Sequence, residues 1–120
     1  TASFGPWTLR ASLVPGPLHP PDDPHQAYLD GEIAGTCIEV RARRPGDRFQ
    51  PLGMPHPKRL QDFLVDEKVP RELRRQLPLV EGANGILWVV GRRIAHWARA
   101  TPQSRSVLVL EAQPPQGWDT

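Results

Sequence analysis

The sequence predicts an α+β domain in which a β-sheet core carries a layer of two short helices across one face. Several separate runs alternate apolar and polar residues, as half-buried strands do. One segment between them instead spaces its apolar residues three and four apart, which is typical of an amphipathic helix. The chain has 120 residues, near the commonest domain size, so we expect one domain over residues 1–112 and a flexible tail over 113–120.

Two strands are expected in the first part of the chain. The run Trp7–Leu13 alternates apolar and polar residues along its length. The run Cys37–Arg43 alternates again, so its aliphatic residues are expected to face the core and its charged residues to face water. Residues 14–26 between them are rich in proline and are expected to form an extended loop with no helix or strand.

A β-hairpin and a final strand are expected in the last third. Leu79–Glu81 and Ile86–Val90 flank the sequence Gly-Ala-Asn-Gly, which is a turn signal. The run Ile86–Val90 is apolar on both faces, which indicates a central strand that is covered on both sides. Val107–Leu110 is predicted to be the last strand.

The helical layer is expected between the two pairs of strands. The apolar stripe of its first helix consists of Leu60, Phe63, Leu64 and Val69. Pro70 suits the first turn of a second short helix, because that position needs no N–H donor. Leu73 and Leu77 of this second helix are expected to point inward. The residues expected to point outward are Arg71, Arg74 and Arg75.

Positive charge is concentrated in the middle third of the chain. The formal net charge is +2, but residues 41–75 hold ten Lys and Arg against five Asp and Glu, a local charge of +5. Such a field steers anionic partners toward this region. From charge alone, a solvated face is the simpler explanation.

Several other classes of protein are disfavoured. No apolar run approaches the roughly 20 residues that a membrane span needs, and no signal-peptide pattern is present, so no membrane partner is expected. Cys37 is the only cysteine, which fits a reducing cytoplasm, and we expect it to be a small core or strand residue. The chain begins at Thr1 without a methionine, and we interpret it as a piece of a longer protein.

The sequence predicts no catalytic residue and no metal. Phosphate-loop, dinucleotide-binding and nucleophile-elbow motifs are missing, and the four histidines lack the spacing of zinc ligands. Asp47 is expected to cap its turn or orient a neighbouring arginine rather than act as a base. Asp62 and Asp66 are expected to form surface ion pairs with nearby cations, namely Lys58 or Arg59, and Arg71.

The candidate binding site is a basic surface around the Pro45-Gly46 turn and the predicted helices. Arginine binds phosphate through two parallel hydrogen bonds, which lysine cannot do, so a cluster dominated by arginine favours nucleic acid. The members of the basic surface are Arg43, Arg44, Arg48, Lys58, Arg59, Lys68, Arg71, Arg74 and Arg75.

A set of short motifs between Tyr28 and Leu110 points to a known family. The motifs are Tyr28-Leu29-Asp30, Val40-Arg41, Arg43-Arg44-Pro45-Gly46-Asp47-Arg48-Phe49, Pro51-Leu52-Gly53-Met54, Lys58, Leu60, Asp62-Phe63-Leu64, Lys68-Val69-Pro70, Arg74, Pro78-Leu79-Val80, Trp88-Val89-Val90-Gly91 and Arg93-Ile94. In these motifs, their order and their spacing, the chain resembles the C-terminal domain of bacterial tRNA(Ile)-lysidine synthetase. It departs from the family at His56-Pro57, where many members have glycine, and in the Pro-rich loop.

The resemblance implies a fold and a parent activity. The fold would be a β-sandwich-like core with a helical layer, similar to a domain of the phenylalanyl-tRNA synthetase β subunit. The parent enzyme would use ATP and lysine to convert the wobble cytidine of a minor isoleucine tRNA to lysidine. That chemistry belongs to a separate ATP-pyrophosphatase domain with a Ser-Gly-Gly phosphate loop. The loop is absent here, so we expect no synthetase activity and no cofactor for this chain alone.

The resemblance also implies that this domain grips the acceptor-stem region of the tRNA. The implied backbone contacts are Arg44, Arg48, Lys58, Arg59, Lys68, Arg71, Arg74 and Arg75. The implied scaffold residues are Pro45, Gly46, Asp47, Gly53, Asp62, Phe63, Leu64 and Trp88. The expected partners are tRNA and the catalytic domain of the same enzyme. The alternative is a protein-interaction module for homodimerisation or for docking on the catalytic domain, which the apolar strand Ile86–Val90 and exposed tryptophans would serve.

Overall fold

A computed structural model describes residues 1–118 of the chain. The strands are β1 (Ala2–Phe4), β2 (Trp7–Pro15), β3 (Gln26–Asp30), β4 (Glu39–Arg41), β5 (Arg48–Phe49), β6 (Lys58–Arg59), β7 (Leu79–Gly82), β8 (Gly85–Val89) and β9 (Ser106–Gln113). The two α-helices are α1 (Gly31–Ala34) and α2 (Leu60–Asp66), and there are 3₁₀ turns at Arg71–Leu73 and His96–Ala98. None of the helices within residues 1–118 is long and apolar enough to cross a bilayer.

The strands form three antiparallel sheets around one core. The orders are β1-β2-β9-β3, β4-β7-β8 and β5-β6. Strand β2 pairs with β9 over the whole stretch from Thr8 to Pro15. Leu29 from the first sheet and Leu87 from the second are both fully buried in the same apolar cluster, which joins the two larger sheets. The predicted α+β class, mostly sheet with short helices, is confirmed.

The predicted hairpin is present as β7 and β8, joined at the Gly82–Gly85 pair. The prediction that Ile86–Val90 is a central strand is wrong, because β7 lies in the middle of this sheet and β8 at its edge. The edge is nevertheless covered: the N–H of Ala95 donates to the carbonyl of Leu87 at 2.8 Å. The returning chain therefore buries a strand whose apolar residues suggested a central position.

Helix α2 has the expected buried stripe, and its end explains the position of Val69. The N–H of Val69 donates to the carbonyl of Leu64, and that of Lys68 to the carbonyl of Val65, both at 3.0 Å. Lys68 has a positive φ of 58°. These bonds form a Schellman motif, in which Val69 and Leu64 are both buried.

The predicted second helix is wrong, because only a 3₁₀ turn forms after Pro70. Its bonds run from Leu73 N–H to the Pro70 carbonyl and from Gln76 N–H to the Leu73 carbonyl. The segment between Pro70 and Pro78 is too short to offset the cost of nucleating a helix.

The other α-helix, α1, lies in a segment where no helix was predicted. Helix α1 follows directly on β3, and its N-cap is Asp30, whose Oδ1 accepts hydrogen bonds from the N–H groups of Glu32 and Ile33 at 3.0 Å each. This side-chain cap satisfies two N–H groups that the helix itself leaves unpaired.

The strand predicted at Cys37–Arg43 is shorter than expected. Only Glu39–Arg41 pairs with β7. Cys37 is exposed and lies outside any strand, so its predicted place in the core or in a strand is wrong. The predicted orientation is also wrong at Arg41, which is buried although it belongs to the charged side of the alternation. A charged residue can be buried at this position because it is paired.

The strands of the first sheet set the bounds of the Pro-rich loop and of the C-terminal segment. Strand β2 extends to Pro15 and β3 begins at Gln26, so the loop spans residues 16–25. Strand β9 ends at Gln113, and Trp118 packs edge-on against the buried Trp7 with ring centroids 4.9 Å apart. Residues 114–118 therefore return to the core, whereas a flexible tail was expected. The last two residues of that tail lie outside the described residues.

Candidate nucleic-acid interface

The basic surface is built on a tight turn at Arg44–Asp47. The N–H of Asp47 donates to the carbonyl of Arg44 at 3.2 Å, and Gly46 has a φ of 84°. Proline at the second position and a glycine with positive φ at the third are typical of a type II turn. The Asp47 Oδ2 also accepts the N–H of Arg44 at 2.7 Å. The turn is therefore closed by two hydrogen bonds.

A buried arginine fastens this turn to the second sheet. The guanidinium of Arg41 donates to both carboxylate oxygens of Asp47, at 2.9 and 3.0 Å. It also donates to both carboxylate oxygens of Glu81 on β7, at 3.0 and 3.1 Å, and to the carbonyl of Ala42 at 2.9 Å. The Arg41 side chain is only 8% exposed. Two parallel hydrogen bonds between a guanidinium and a carboxylate restrict both their distance and their relative orientation. The turn therefore keeps a defined position relative to β4 and β7.

The same contacts keep both carboxylates ionised. Burial alone would raise the pKa of Asp47, but the hydrogen bonds from Arg41 and from the Arg44 N–H outweigh it, and the pKa is lowered. The hydrogen bond from Arg41 likewise lowers the pKa of Glu81. The hydrogen bonds to Asp47 and Glu81 raise the pKa of Arg41. Asp47 is therefore a turn cap and an arginine partner, and its basicity is reduced.

A pocket of about 350 Å³ lies between this turn and the start of α2. Three arginines line it: Arg43, Arg44 and Arg59. The carbonyl of Asp47 accepts the N–H of Leu60 at 2.9 Å, which joins the turn to the helix and closes one side of the pocket. Three guanidinium groups around one small concavity can hold a phosphate by charge and by paired hydrogen bonds.

The β5–β6 hairpin brings Arg48 and Lys58 to the same region. Arg48 pairs in register with Arg59, and its Nη2 donates to the carbonyl of Pro57 at 3.3 Å. Lys58 forms an ion pair with Asp66, and Arg59 forms one with Asp62 at 3.1 Å. The predicted surface ion pair of Asp62 is thus confirmed, with Arg59 as the cation. Asp66 also forms a surface ion pair, but its cation is Lys58 and not the predicted Arg71. A phosphate would have to compete with these carboxylates.

The remaining predicted contacts lie beyond the other end of α2. A seven-residue helix is about 10 Å long, which sets the scale of the separation. Lys68, Arg71 and Arg75 are exposed there. Arg74 is only half-buried, and its Nε donates to the carbonyl of Val69 at 3.0 Å. The expected outward position of Arg74 is therefore wrong, since its side chain is fastened to the chain that leaves α2.

Three of the predicted scaffold residues, Phe63, Leu64 and Gly53, have structural contacts of their own. Phe63 and Leu64 are buried, and the ring of Phe63 packs edge-on against Phe49 with centroids 5.1 Å apart. Gly53 has a φ of 88° in a turn closed by Met54 N–H and the Pro51 carbonyl, and its own N–H donates to Nδ1 of His96 at 3.1 Å.

Sequence reasoning missed two features of this surface. The first is the role of Arg41: its partner Glu81 is forty positions away, so only the paired strands reveal the contact. The second is a further arginine cluster, Arg92, Arg93 and Arg99, which lines a groove of its own. The adjacent arginines after an apolar strand were a visible signal for it. No cluster of three or more potential metal ligands occurs within residues 1–118.

Comparison with solved structures shows which fold the chain has. The protein described as "Crystal structure of TILS C-terminal domain" is similar over 90% of this chain and 84% of its own, with a TM-score of 0.73 and 26% identity. An N-terminal fragment of the phenylalanyl-tRNA synthetase β subunit from Pyrococcus horikoshii has the same fold over 72% of this chain and 27% of its own, with a TM-score of 0.58 and 18% identity. The chain is thus a small sheet-based domain of this fold, with an arginine-rich turn on its surface.

The family follows from sequence. Residues 38–110, more than half of the chain, match the family model described as the TilS substrate C-terminal domain. The tRNA(Ile)-lysidine synthase of Dehalococcoides mccartyi is 41% identical over 107 residues, which is 88% of this chain and 23% of that protein. That of Geobacter sulfurreducens is 44% identical over 85 residues, 71% of this chain and 18% of that protein. The chain belongs to the TilS substrate C-terminal domain family, as the resemblance indicated, and spans about a quarter or less of these relatives.

Proposed function

We propose that this domain binds tRNA through its basic surface and serves as the RNA-gripping part of a tRNA(Ile)-lysidine synthase. The observation that carries the proposal is the arginine-lined pocket beside the Arg44–Asp47 turn. A buried ion-pair network fixes the turn beside this pocket, and three arginines line a space large enough for a phosphate. Membership of the TilS substrate C-terminal domain family supports RNA as the anion.

Duplex RNA suits a surface of this kind. Its bases are hard to reach, and proteins recognise it by shape and by contacts to phosphates and 2′-hydroxyls. The side chains of Arg43, Arg44 and Arg48 form no ion pair with a carboxylate among the described residues, so they are available to phosphates. We place the acceptor-stem region of a minor isoleucine tRNA on this surface.

The wider activity belongs to the parent enzyme. Its catalytic domain would use ATP and lysine to modify the wobble cytidine, in the cytoplasm, while this domain holds the same tRNA at a distance from the reaction. The domain acts by positioning, since a substrate held in register reacts as if it were present at high concentration.

The test is binding of isoleucine tRNA to the domain and to a pair of matched double variants. Arg44→Gln/Arg59→Gln removes two charges from the pocket. Arg10→Gln/Arg105→Gln removes two charges from exposed positions that do not line it. We expect the pocket variant to lose about tenfold or more in affinity at 50 mM salt and the control to lose about threefold at most.

Two results would overturn the proposal. The first is the absence of tRNA binding at low salt by the unaltered domain. The second is an equal loss in both double variants, which would mean that charge alone, without the pocket, attracts the RNA. If the domain instead forms dimers in sedimentation experiments and binds no tRNA, the protein-interaction alternative takes its place. Thermal unfolding of both variants checks that the fold is kept.

A further inference from the structure

A second groove, of about 590 Å³, lies between the Pro-rich loop and the chain segment 92–100. It shares no residue with the pocket beside the Arg44–Asp47 turn. Buried Ala27 and Trp88 contribute to its floor, and Tyr28, Leu52 and Ile94 add apolar surface at its sides. Its size and apolar lining are those of a small-molecule or single-nucleotide site.

The loop wall of this groove is already formed in the free protein. Pro20, Pro21 and Pro24 line it, and proline fixes the φ angle of its own residue. The loop is attached at both ends to the segment around β9, where Gly16 N–H donates to the Arg105 carbonyl and Ala112 N–H donates to the His25 carbonyl, both at 2.8 Å. A ligand that enters a preformed groove avoids the entropy cost of ordering it.

The groove carries opposite charges on its two walls. Arg92, Arg93 and Arg99 come from the segment 92–100, whereas Asp22 and Asp23 come from the loop. Two of the arginines are already engaged. Arg93 lies 3.6 Å from the carboxylate of Glu67, and Arg99 donates to the carbonyl of His96 at 2.7 Å.

Arg92 is the arginine that lacks an acceptor. Its side chain makes no hydrogen bond or ion pair within residues 1–118, and its Nε is shielded from solvent without an acceptor. A donor that is shielded from water and has no acceptor destabilises the protein. An acceptor brought by a ligand would remove this penalty. Across the groove, the carboxylate of Asp22 likewise has no partner in the described part of the chain. Asp22 is exposed, and a carboxylate can only accept hydrogen bonds, so it is open to a donor on a ligand.

We propose that this groove holds an unpaired nucleotide of the bound RNA whose base has an exocyclic amino group, namely cytidine, adenosine or guanosine. The nucleotide phosphate lies on Arg92, the base stacks against the Tyr28 and Leu52 surface, and the exocyclic amino group of the base donates to Asp22. Cytosine, adenine and guanine all have such an amino group, and a carboxylate can accept a hydrogen bond from it. Uracil has none, so uridine is disfavoured. This inference rests on the proposed tRNA binding and adds the single-stranded part of the ligand.

The position of the groove connects it with the basic surface. The Arg93–Glu67 pair ties the groove rim to the residue that caps the C-terminal end of α2, next to exposed Lys68. RNA that follows the basic surface along α2 therefore reaches the groove. An unpaired strand beyond the end of a duplex can splay its bases for stacking, whereas bases within the duplex stay inaccessible. The 3′ end of tRNA, which is C-C-A, has an amino group on each base.

The experiment compares three RNA hairpins with the same stem: one blunt, one with a 3′ C-C-A overhang and one with a 3′ U-U-U overhang. We expect the C-C-A hairpin to bind about tenfold more tightly than the other two, which is within the range of one stacked base. Arg92→Gln should abolish this gain and leave blunt binding within about twofold of the Arg10→Gln control. Asp22→Asn should bring the C-C-A and U-U-U hairpins to similar affinities.

The outcomes separate this inference from the proposed function. Equal binding of the three hairpins overturns the nucleotide site and leaves duplex binding in place. An equal effect of Arg92→Gln on all three hairpins also overturns it, because Arg92 would then be one more contact to the duplex. Failure to bind any hairpin overturns the proposed function, and the nucleotide site with it.

Discussion

A guanidinium that is almost fully buried needs an acceptor for each of its donors, and Arg41 finds them on three residues. Asp47, Glu81 and the carbonyl of Ala42 together satisfy the group. The cost of removing these charges from water is offset only while all partners are present. The position of the basic turn therefore depends on a residue that does not itself contact the expected ligand.

Replacing Arg41 with glutamine should destabilise the domain by about 3 kcal/mol, because two carboxylates would be left in a partly buried site without their cation. Chemical denaturation measures this change in the free energy of unfolding. The control is Arg10→Gln, which removes the same charge from an exposed position on β2 and should change stability by less than about 0.5 kcal/mol. Equal effects of the two substitutions would show that the Arg41 network contributes nothing specific.

The network also makes stability depend on pH. The folded-state pKa values of Asp47 and Glu81 lie below their ordinary values of 3.8 and 4.5. A carboxyl with a depressed pKa contributes stability that is present above its unfolded pKa and is lost as the pH falls through its folded pKa. We expect the free energy of unfolding to fall between about pH 5 and pH 3, and to fall less steeply in the Asp47→Asn/Glu81→Gln variant. Denaturation curves at several pH values test this, and equal slopes would contradict it.

At the scale of single elements, the C-terminal end of α2 contains an unfavourable backbone conformation that the sequence does not reveal. The Schellman motif requires a left-handed residue, usually glycine, and Lys68 occupies that position with a φ of 58°. A side chain there is disfavoured by roughly 1–2 kcal/mol. The lysine at this exposed position adds its charge to the basic surface.

Two substitutions separate these effects. Lys68→Gly should stabilise the domain by about 1 kcal/mol by relieving the left-handed strain, whereas Lys68→Ala should leave stability nearly unchanged. Both remove the same charge, so both should weaken tRNA binding to the same extent. Thermal or chemical unfolding and a binding titration measure the two quantities. If Lys68→Gly destabilises the helix end, the strain argument is wrong.

The sequence predicts correctly those elements whose apolar spacing or turn residues lie close together in the chain. Helix α2 and the β7–β8 hairpin have their apolar spacing and turn residues within short windows. The helix predicted after Pro70 does not form. Helix propensity and apolar spacing do not include the free-energy cost of nucleating a helix, which a short segment cannot offset. The β5–β6 hairpin has only two residues in each strand and leaves no periodic pattern to read.

The candidate site was predictable to a similar degree. The turn at Arg44–Asp47 and its neighbouring arginines are contiguous in sequence, so their clustering could be inferred before the fold was known. The contacts of Arg41 could not, because they depend on the pairing of β4 with β7. The groove below the Pro-rich loop also required the fold, since its two walls are separated by some seventy positions.

For the whole molecule, the small net charge of +2 conceals a polarised surface, and that predicts how binding responds to salt. Each phosphate that a cation neutralises releases counterions, so affinity falls steeply with salt in proportion to the number of contacts. With roughly four contacts, tRNA affinity should fall about a hundredfold between 50 and 200 mM salt. In the Arg44→Gln/Arg59→Gln variant, the slope of log affinity against log salt should be shallower by about 2. Binding titrations at four salt concentrations measure both slopes. A slope that is unchanged in the variant would place the phosphate contacts away from the turn, because a residue outside the interface contributes no counterion release.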